Sequence, residues 1–233
     1  MTAEDGPSDL AGILDLADWR RTIAALYTEV RRLAATDPAA ALTHWQTTRE
    51  TLYREHPQSP VQVADRATFR ALHFEHDPAL RFEVSVDPAA ADGPPSPPGL
   101  GGLGGPGGLG GISIQLPVSV GGAMSFERVG SLAVPFATGA RRLELYWMAG
   151  YAGGLFLPFR DATNGAETYG AGRYLLDAAK SADLGAGRDP GTLILDFNFA
   201  YQPSCAFDPK YACPLSPPAN RLDVPIRAGE RIA

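Results

Sequence analysis

From about residue 60 onward the apolar residues of this chain recur at every second position, in short runs broken by glycine, proline and asparagine. A period of two places alternate side chains on opposite faces of a strand. The runs are LRFEVSV (80–86), ISIQLPVSV (112–120), RRLELYWMA (141–149), GLFLPFR (154–160), ETYGAGRYLL (167–176) and TLILDFNFAY (192–201). Shorter ones are MSFERV (124–129), SLAVPF (131–136) and LDVPI (222–226). So many short strands predict an antiparallel β-barrel or sandwich of about eight or nine strands rather than a parallel sheet.

Upstream the period is helical. Leu16, Trp19, Ile23, Leu26, Val30 and Leu33 fall at three- and four-residue steps within 15–35, which makes an amphipathic helix. Asp37 is placed to cap a second helix and Pro38 suits its first turn. That helix runs to about Glu55, where His56-Pro57 ends it, with Ala41, Leu42, Trp45, Leu52 and Tyr53 on its apolar face. The chain therefore reads as α+β, mainly β. A helical segment (1–57) packs on a β domain (58–233) that carries a flexible Pro/Gly-rich insertion at 92–111. That insertion lacks the Gly-Lys-Ser/Thr and the strand-to-helix context of a phosphate-binding loop, so a linker is the expectation.

Charge narrows the partners. Twenty-six acids against 20 bases give a net charge of −6, without the basic footprint that nucleic acid requires. The acidic start MTAEDGPSDL lacks both the basic start and the apolar stretch of a signal peptide, and no apolar run approaches a membrane span. The expected location is the cytoplasm. There is no nucleophile elbow, zinc-protease helix signature or dinucleotide fingerprint, and no cofactor is expected. The sequence gives no oligomeric state.

Asn164-Gly165 predicts a two-residue type I′ hairpin turn. That register pairs Thr163 with Ala166, Asp161 with Thr168, Phe159 with Gly170 and Leu157 with Gly172, so the two glycines make room for large apolar neighbours. Arg160, Glu167, Tyr169 and Arg173 take the other face. On the later strand Asp196 and Asn198 point the same way, opposite Leu195, Phe197, Phe199 and Tyr201. A buried carboxylate needs a cation or several donors, and Arg173 is the expected partner of Asp196.

PFRDATNGAETYGAGRYL, LDFNFAYQPSCAF, CPLSPPANRL and VPIRAGE together resemble the family of bacterial and archaeal proteins called domain of unknown function 1684, over roughly residues 45 to 232. The resemblance implies a common pattern of Asp161, Gly165, Tyr169, Gly172, Arg173, Asp196, Asn198, Tyr201, Pro203, Cys205, Cys213 and Asn220. It implies no reaction, and the 92–111 insertion departs from the pattern.

Three readings follow. In the first, a small polar or anionic molecule binds in a pocket lined by Tyr169, Arg173, Asp196, Asn198, Tyr201 and Asn220. In the second, Asp161 or Asp196 is a general acid/base and Arg173 anchors an anion. In the third, the polar cluster only locks strand register. Gly165, Gly170, Gly172, Pro203, Cys205 and Cys213 read as structural. The cysteines lie eight positions apart with no second pair or nearby histidine, which fits buried thiols better than a loop-closing disulfide, and either better than zinc. His73 and His76 lack a third ligand, so no metal site is expected.

Overall fold

The computed structural model describes residues 10–88, 112–150 and 153–232. The Pro/Gly-rich insertion at 92–111 lies outside the described residues. Two helices, α1 (Leu10–Ala34) and α2 (Pro38–Glu55), precede nine strands. Asp37 caps α2 as expected, its Oδ1 accepting from the Ala40 amide at 2.9 Å. No helix among the described residues is long and apolar enough to cross a membrane.

The strands are β1 (Leu72–His73), β2 (Arg81–Pro88), β3 (Ile112–Pro117), β4 (Ala123–Phe136), β5 (Gly139–Met148), β6 (Leu155–Phe159), β7 (Arg173–Asp177), β8 (Thr192–Asp196) and β9 (Glu230–Arg231). Seven form one antiparallel sheet in the order β7-β6-β5-β4-β2-β8, with β3 also on β4. It curls into a half-barrel, and the chain after β8 returns to the β7 edge through a Tyr174–Tyr201 bridge. The remaining two strands, β1 and β9, make a separate ribbon.

Alternation along the strands builds an apolar core on each face of the sheet. Phe126, Tyr146, Phe156 and Tyr174 face the helices and meet Ile23, Leu26, Tyr27, Val30, Leu42 and Trp45. Leu145, Leu157, Leu175 and Leu195 face inward with Leu132, Val134 and Phe197. The helices thus share one core with the sheet.

Several strand expectations need correction. The two short runs at 124–129 and 131–136 are one strand, β4, whose pairing with β5 shifts between Arg128 and Gly130. Residues 222–226 form no strand. The strand expected to run from 192 to 201 stops at Asp196, where Phe197–Phe199 winds into a 3-10 turn.

The hairpin register is also different. Phe159 pairs with Arg173 and Leu157 with Leu176, leaving 160–172 as a loop. The reason lies in the Asn164 side chain. Its Oδ1 accepts from the Asp161 amide at 2.6 Å, and its Nδ2 donates to Thr168 Oγ1 and the Tyr169 carbonyl, each at 2.9 Å. These local bonds compete with a tight hairpin, and Asn164 does not take the positive φ that a type I′ turn requires. Gly165 does, at φ +84°. Gly172 is needed for another reason: at φ +103° its missing Cβ would sit 2.4 Å from the Phe159 carbonyl oxygen. Gly170 makes room for no large side chain; only Gly165 lies near the place of its Cβ.

Candidate functional site

Arg173 does not pair with Asp196. At the start of β7 it is fully buried, and Nη2 binds Asp161 Oδ2 at 3.0 Å. Its other bonds go to backbone: Nη2 to the Ile226 carbonyl at 2.7 Å, and Nη1 to those of Ala228 and Glu230 at 2.5 and 3.0 Å. Burial lowers its pKa, against the opposing pull of Asp161. Asp161 Oδ1 accepts from the amide and hydroxyl of Thr163 and from the Ile226 amide. The pair is therefore a clamp on alternate carbonyls of the C-terminal segment.

Asp196 and Asn198 make a second, separate knot. Arg81 reaches Asp196 Oδ2 at 3.1 Å across the β2–β8 pairing. Asp196 Oδ1 accepts from the amide and side chain of Asn198, which itself exchanges bonds with the amide and carbonyl of Asp77. Both residues are buried and neither lines any of the cavities named below. Asn220 bonds Glu144 on both sides and the Pro158 carbonyl, so it fastens β5 and β6. The six residues expected to line one pocket are thus divided: Arg173, Asp196, Asn198 and Asn220 hold chain segments together, while Tyr169 lies with the cysteines. Tyr201 alone of the six reaches a cavity.

That cavity lies in the seam between the helices and the half-barrel. Its walls include Trp19, Tyr27, Arg49, Lys180, Tyr201 and Gln202, around a partly open volume of about 60 Å³. One water needs roughly 10–15 Å³ by this measure, so there is room for a few waters or a ligand of a few heavy atoms.

Arg49 dominates it. It falls on the apolar stripe of α2, four residues after Trp45 and four before Tyr53, and is only 5% exposed. Its guanidinium lies 4.8 Å from the Trp45 ring centre, 5.0 Å from Tyr53 and 4.5 Å from Tyr201. Nε binds Glu230 Oε1 at 2.9 Å, and Nη2 donates to the Tyr53 hydroxyl. Burial opposes the guanidinium charge, yet Glu230 and Tyr53 outweigh it, and the net shift is upward. Nη1 has no hydrogen-bond acceptor among the described residues.

Asp177, at the end of β7, lies behind the cavity wall and holds two of its residues. Oδ2 accepts from Lys180 at 2.9 Å and from the Tyr201 hydroxyl at 3.4 Å. Oδ1 is buried without a partner. Tyr27 accepts from the Trp45 indole at 3.2 Å, which leaves its own hydroxyl proton free to donate. Burial pushes the Tyr27 pKa up to about 12, so that proton is retained.

The two regions are linked through one strand. The Arg173 clamp holds the Glu230 backbone, and the Glu230 carboxylate binds Arg49 and the Gln202 amide. Gly229 permits this: a Cβ there would meet the Ala200 carbonyl oxygen at 2.3 Å. Sequence reading missed Arg49, Asp177, Lys180 and Glu230. The available signal was a lone arginine in line with Trp45, Leu52 and Tyr53 on the apolar face of α2.

Three further pockets are larger, at about 420, 320 and 690 Å³, and more open to solvent. One lies beside His73 along α2, one beside Phe69 and Phe207, and one beside Arg31 and Arg188. No group of three or more metal-ligating side chains occurs among the described residues.

The cysteines occupy the loop after Tyr201, where Pro203 precedes a 3-10 turn over Ser204–Ala206. Both thiols are free and buried. The Cys205 amide donates to Cys213 Sγ at 3.3 Å, and the Tyr169 hydroxyl lies 3.8 Å from Cys205 Sγ.

Comparison with known proteins agrees with this geometry in scope. A solution structure of an uncharacterised protein from Haloarcula marismortui is similar at TM-score 0.57 and 29% identity, covering 85% of this chain and 96% of that one. No curated protein matches the chain. A family model described as protein of unknown function (DUF1684) matches residues 67–231, which include the clamp, the knot, the cysteine loop and most of the seam's barrel side. The chain belongs to the DUF1684 family.

Proposed function

We propose that the protein binds a small polar acid in the seam cavity, a molecule bearing one carboxylate and one hydroxyl or amino group. The observation that carries this reading is a donor and an acceptor on one cavity wall: Arg49 Nη1, and the hydroxyl oxygen of Tyr201, whose proton goes to Asp177 Oδ2 behind the wall. A donor and an acceptor facing one small space favour an occupant that pairs both.

The carboxylate takes Arg49 Nη1 and the Tyr27 hydroxyl, with the half-exposed Lys180 ammonium at the mouth. The ligand's hydroxyl or amino group donates to the Tyr201 hydroxyl oxygen, which Asp177 orients. The rings of Trp19, Tyr27, Tyr53 and Tyr201 supply the walls, which leaves room for only a short carbon chain. Because Glu230 already balances Arg49, and Asp177 balances Lys180, the site attracts a polar acid without the strong field a polyanion would need.

The test is a thermal-shift comparison with glycolate, lactate, glycine and acetate on wild type and Asp177→Asn. The expected result is stabilisation of wild type by the hydroxy or amino acids more than by acetate, lost in the variant. Equal shifts in both proteins, or none, would reject the site.

A further inference from the structure

The cysteine loop is separate from the seam's donor and acceptor groups and has chemistry of its own. Cys205 and Cys213 are buried but lie outside the two main apolar clusters. Each is buried with 6% of its surface still exposed. Their surroundings favour one sulfur over the other. The Cys205 amide donates to Cys213 Sγ at 3.3 Å, which brings the two cysteines together, and the Tyr169 hydroxyl lies 3.8 Å from Cys205 Sγ. The Cys213 backbone is fixed to Ser119, its amide donating to Ser119 Oγ at 3.0 Å and its carbonyl accepting from the Ser119 amide at 3.0 Å. The loop is thereby tied to the chain that follows β3, with Cys205 on one arm and Cys213 on the other.

We infer that Cys205 and Cys213 form a thiol–disulfide exchange site for low-molecular-weight disulfides, with Cys205 the attacking sulfur and Cys213 the resolving one. The Cys205 thiolate attacks one sulfur of the external disulfide; that S–S bond breaks as a mixed disulfide forms, and one thiolate leaves. Cys213 then loses its proton to solvent and attacks the Cys205 sulfur, forming the internal disulfide and expelling the second thiolate. The protein is oxidised by two electrons and loses two hydrogens, while the external disulfide is reduced to two thiols.

Electrostatics agree with the order of attack. The hydrogen bond from Cys213, opposed by burial and helped by Ser119 and Tyr169, draws the Cys205 pKa down to about 6, while the same bond and burial raise Cys213. Lys180 and Tyr174 are the other titratable groups that act on Cys213. Tyr169 is itself raised to about 12 by burial and by its bond to Cys205, so it remains a donor.

The test uses the full chain, reduced and then exposed to oxidised glutathione at pH 7, with intact mass read after an acid quench. Wild type is expected to lose two hydrogens without a lasting adduct. Cys213→Ser is expected to accumulate one glutathionyl group, and Cys205→Ser to react at least tenfold more slowly. Should either variant fail to fold, iodoacetamide labelling of wild type with peptide mapping replaces it, and Cys205 is expected to be labelled first. Wild type that stays reduced, a Cys205→Ser variant as reactive as Cys213→Ser, or Cys213 labelled first would overturn the assignment.

Discussion

Two buried arginines, Arg173 and Arg49, each face a buried carboxylate, yet their surroundings assign them different work. Arg173 pairs with Asp161 and spends its remaining terminal donors on the carbonyls of Ile226, Ala228 and Glu230. Only its Nε lacks a partner, and none of the cavities named above is lined by Arg173. Arg49 pairs with Glu230 but lies among three aromatic rings at the edge of a cavity, with one nitrogen unpaired. A saturated ion pair holds chain together. An unsaturated one beside empty space is where we propose that a ligand binds. Glu230 joins the two, since its backbone belongs to the clamp and its side chain to the seam.

This contrast is most severely tested at the clamp. Arg173→Met would leave Asp161 buried without its cation and is expected to cost about 3–5 kcal/mol. Adding Asp161→Leu should return much of that loss, because replacing both partners by apolar groups is far less costly than removing one. Urea denaturation reads both, and a double variant as unstable as the single would mean that backbone bonds, not the ion pair, dominate.

The glycine between the regions should come next. Gly229→Ala forces a side chain into the Ala200 carbonyl at φ +76°, at a cost of about 1–3 kcal/mol. It should also weaken the acid-induced thermal shift by moving Glu230, which a purely local strain would not do.

Arg49→Lys keeps the charge but gives up the planar contact with Trp45, Tyr53 and Tyr201. A loss of about 1–2 kcal/mol is expected, together with the loss of response to glycolate. A variant that is destabilised yet still responds fully would place the ligand elsewhere. At the far end of α2, Asp37→Ala should cost about 1 kcal/mol through the lost cap and leave the ligand response intact, which makes it the control.

The smallest effect concerns pH. Burial lowers the His73 pKa in the folded chain, so the unfolded chain binds a proton more readily. Its contribution to stability is therefore complete above the unfolded value of about 6.5 and is lost as pH falls through the folded value. His73→Gln should flatten that part of the stability profile; a profile unchanged by the substitution would remove His73 from the account.

Much of the fold was legible from periodicity. The helices, the Asp37 cap and four of the six long strand runs stand close to where the sequence pattern puts them, while the runs at 167–176 and 192–201 are each cut to five-residue strands. The ribbon of β1 and β9 was not, because two residues carry no period. Asn164-Gly165 misled, since the asparagine side chain organises a loop through bonds that no turn rule counts. The polar residues of the family pattern were found, but their pairing was not: Arg173 and Asp196 share no bond, because each is saturated by residues far away in sequence, Asp161 and the 226–230 backbone for one, Arg81 for the other. Arg49 was the most informative residue and the least conspicuous, a single charge on an otherwise apolar stripe.

The most direct test is an NMR titration read at the three indole N–H resonances of Trp19, Trp45 and Trp147. Trp45 donates to Tyr27 and Trp19 lines the cavity, while Trp147 belongs to β5 and is not part of its wall. On adding glycolate, the Trp45 and Trp19 signals should shift saturably while Trp147 stays fixed, and Asp177→Asn should abolish the shift. Signals that do not move, or that move equally in the variant, would contradict a ligand site in the seam.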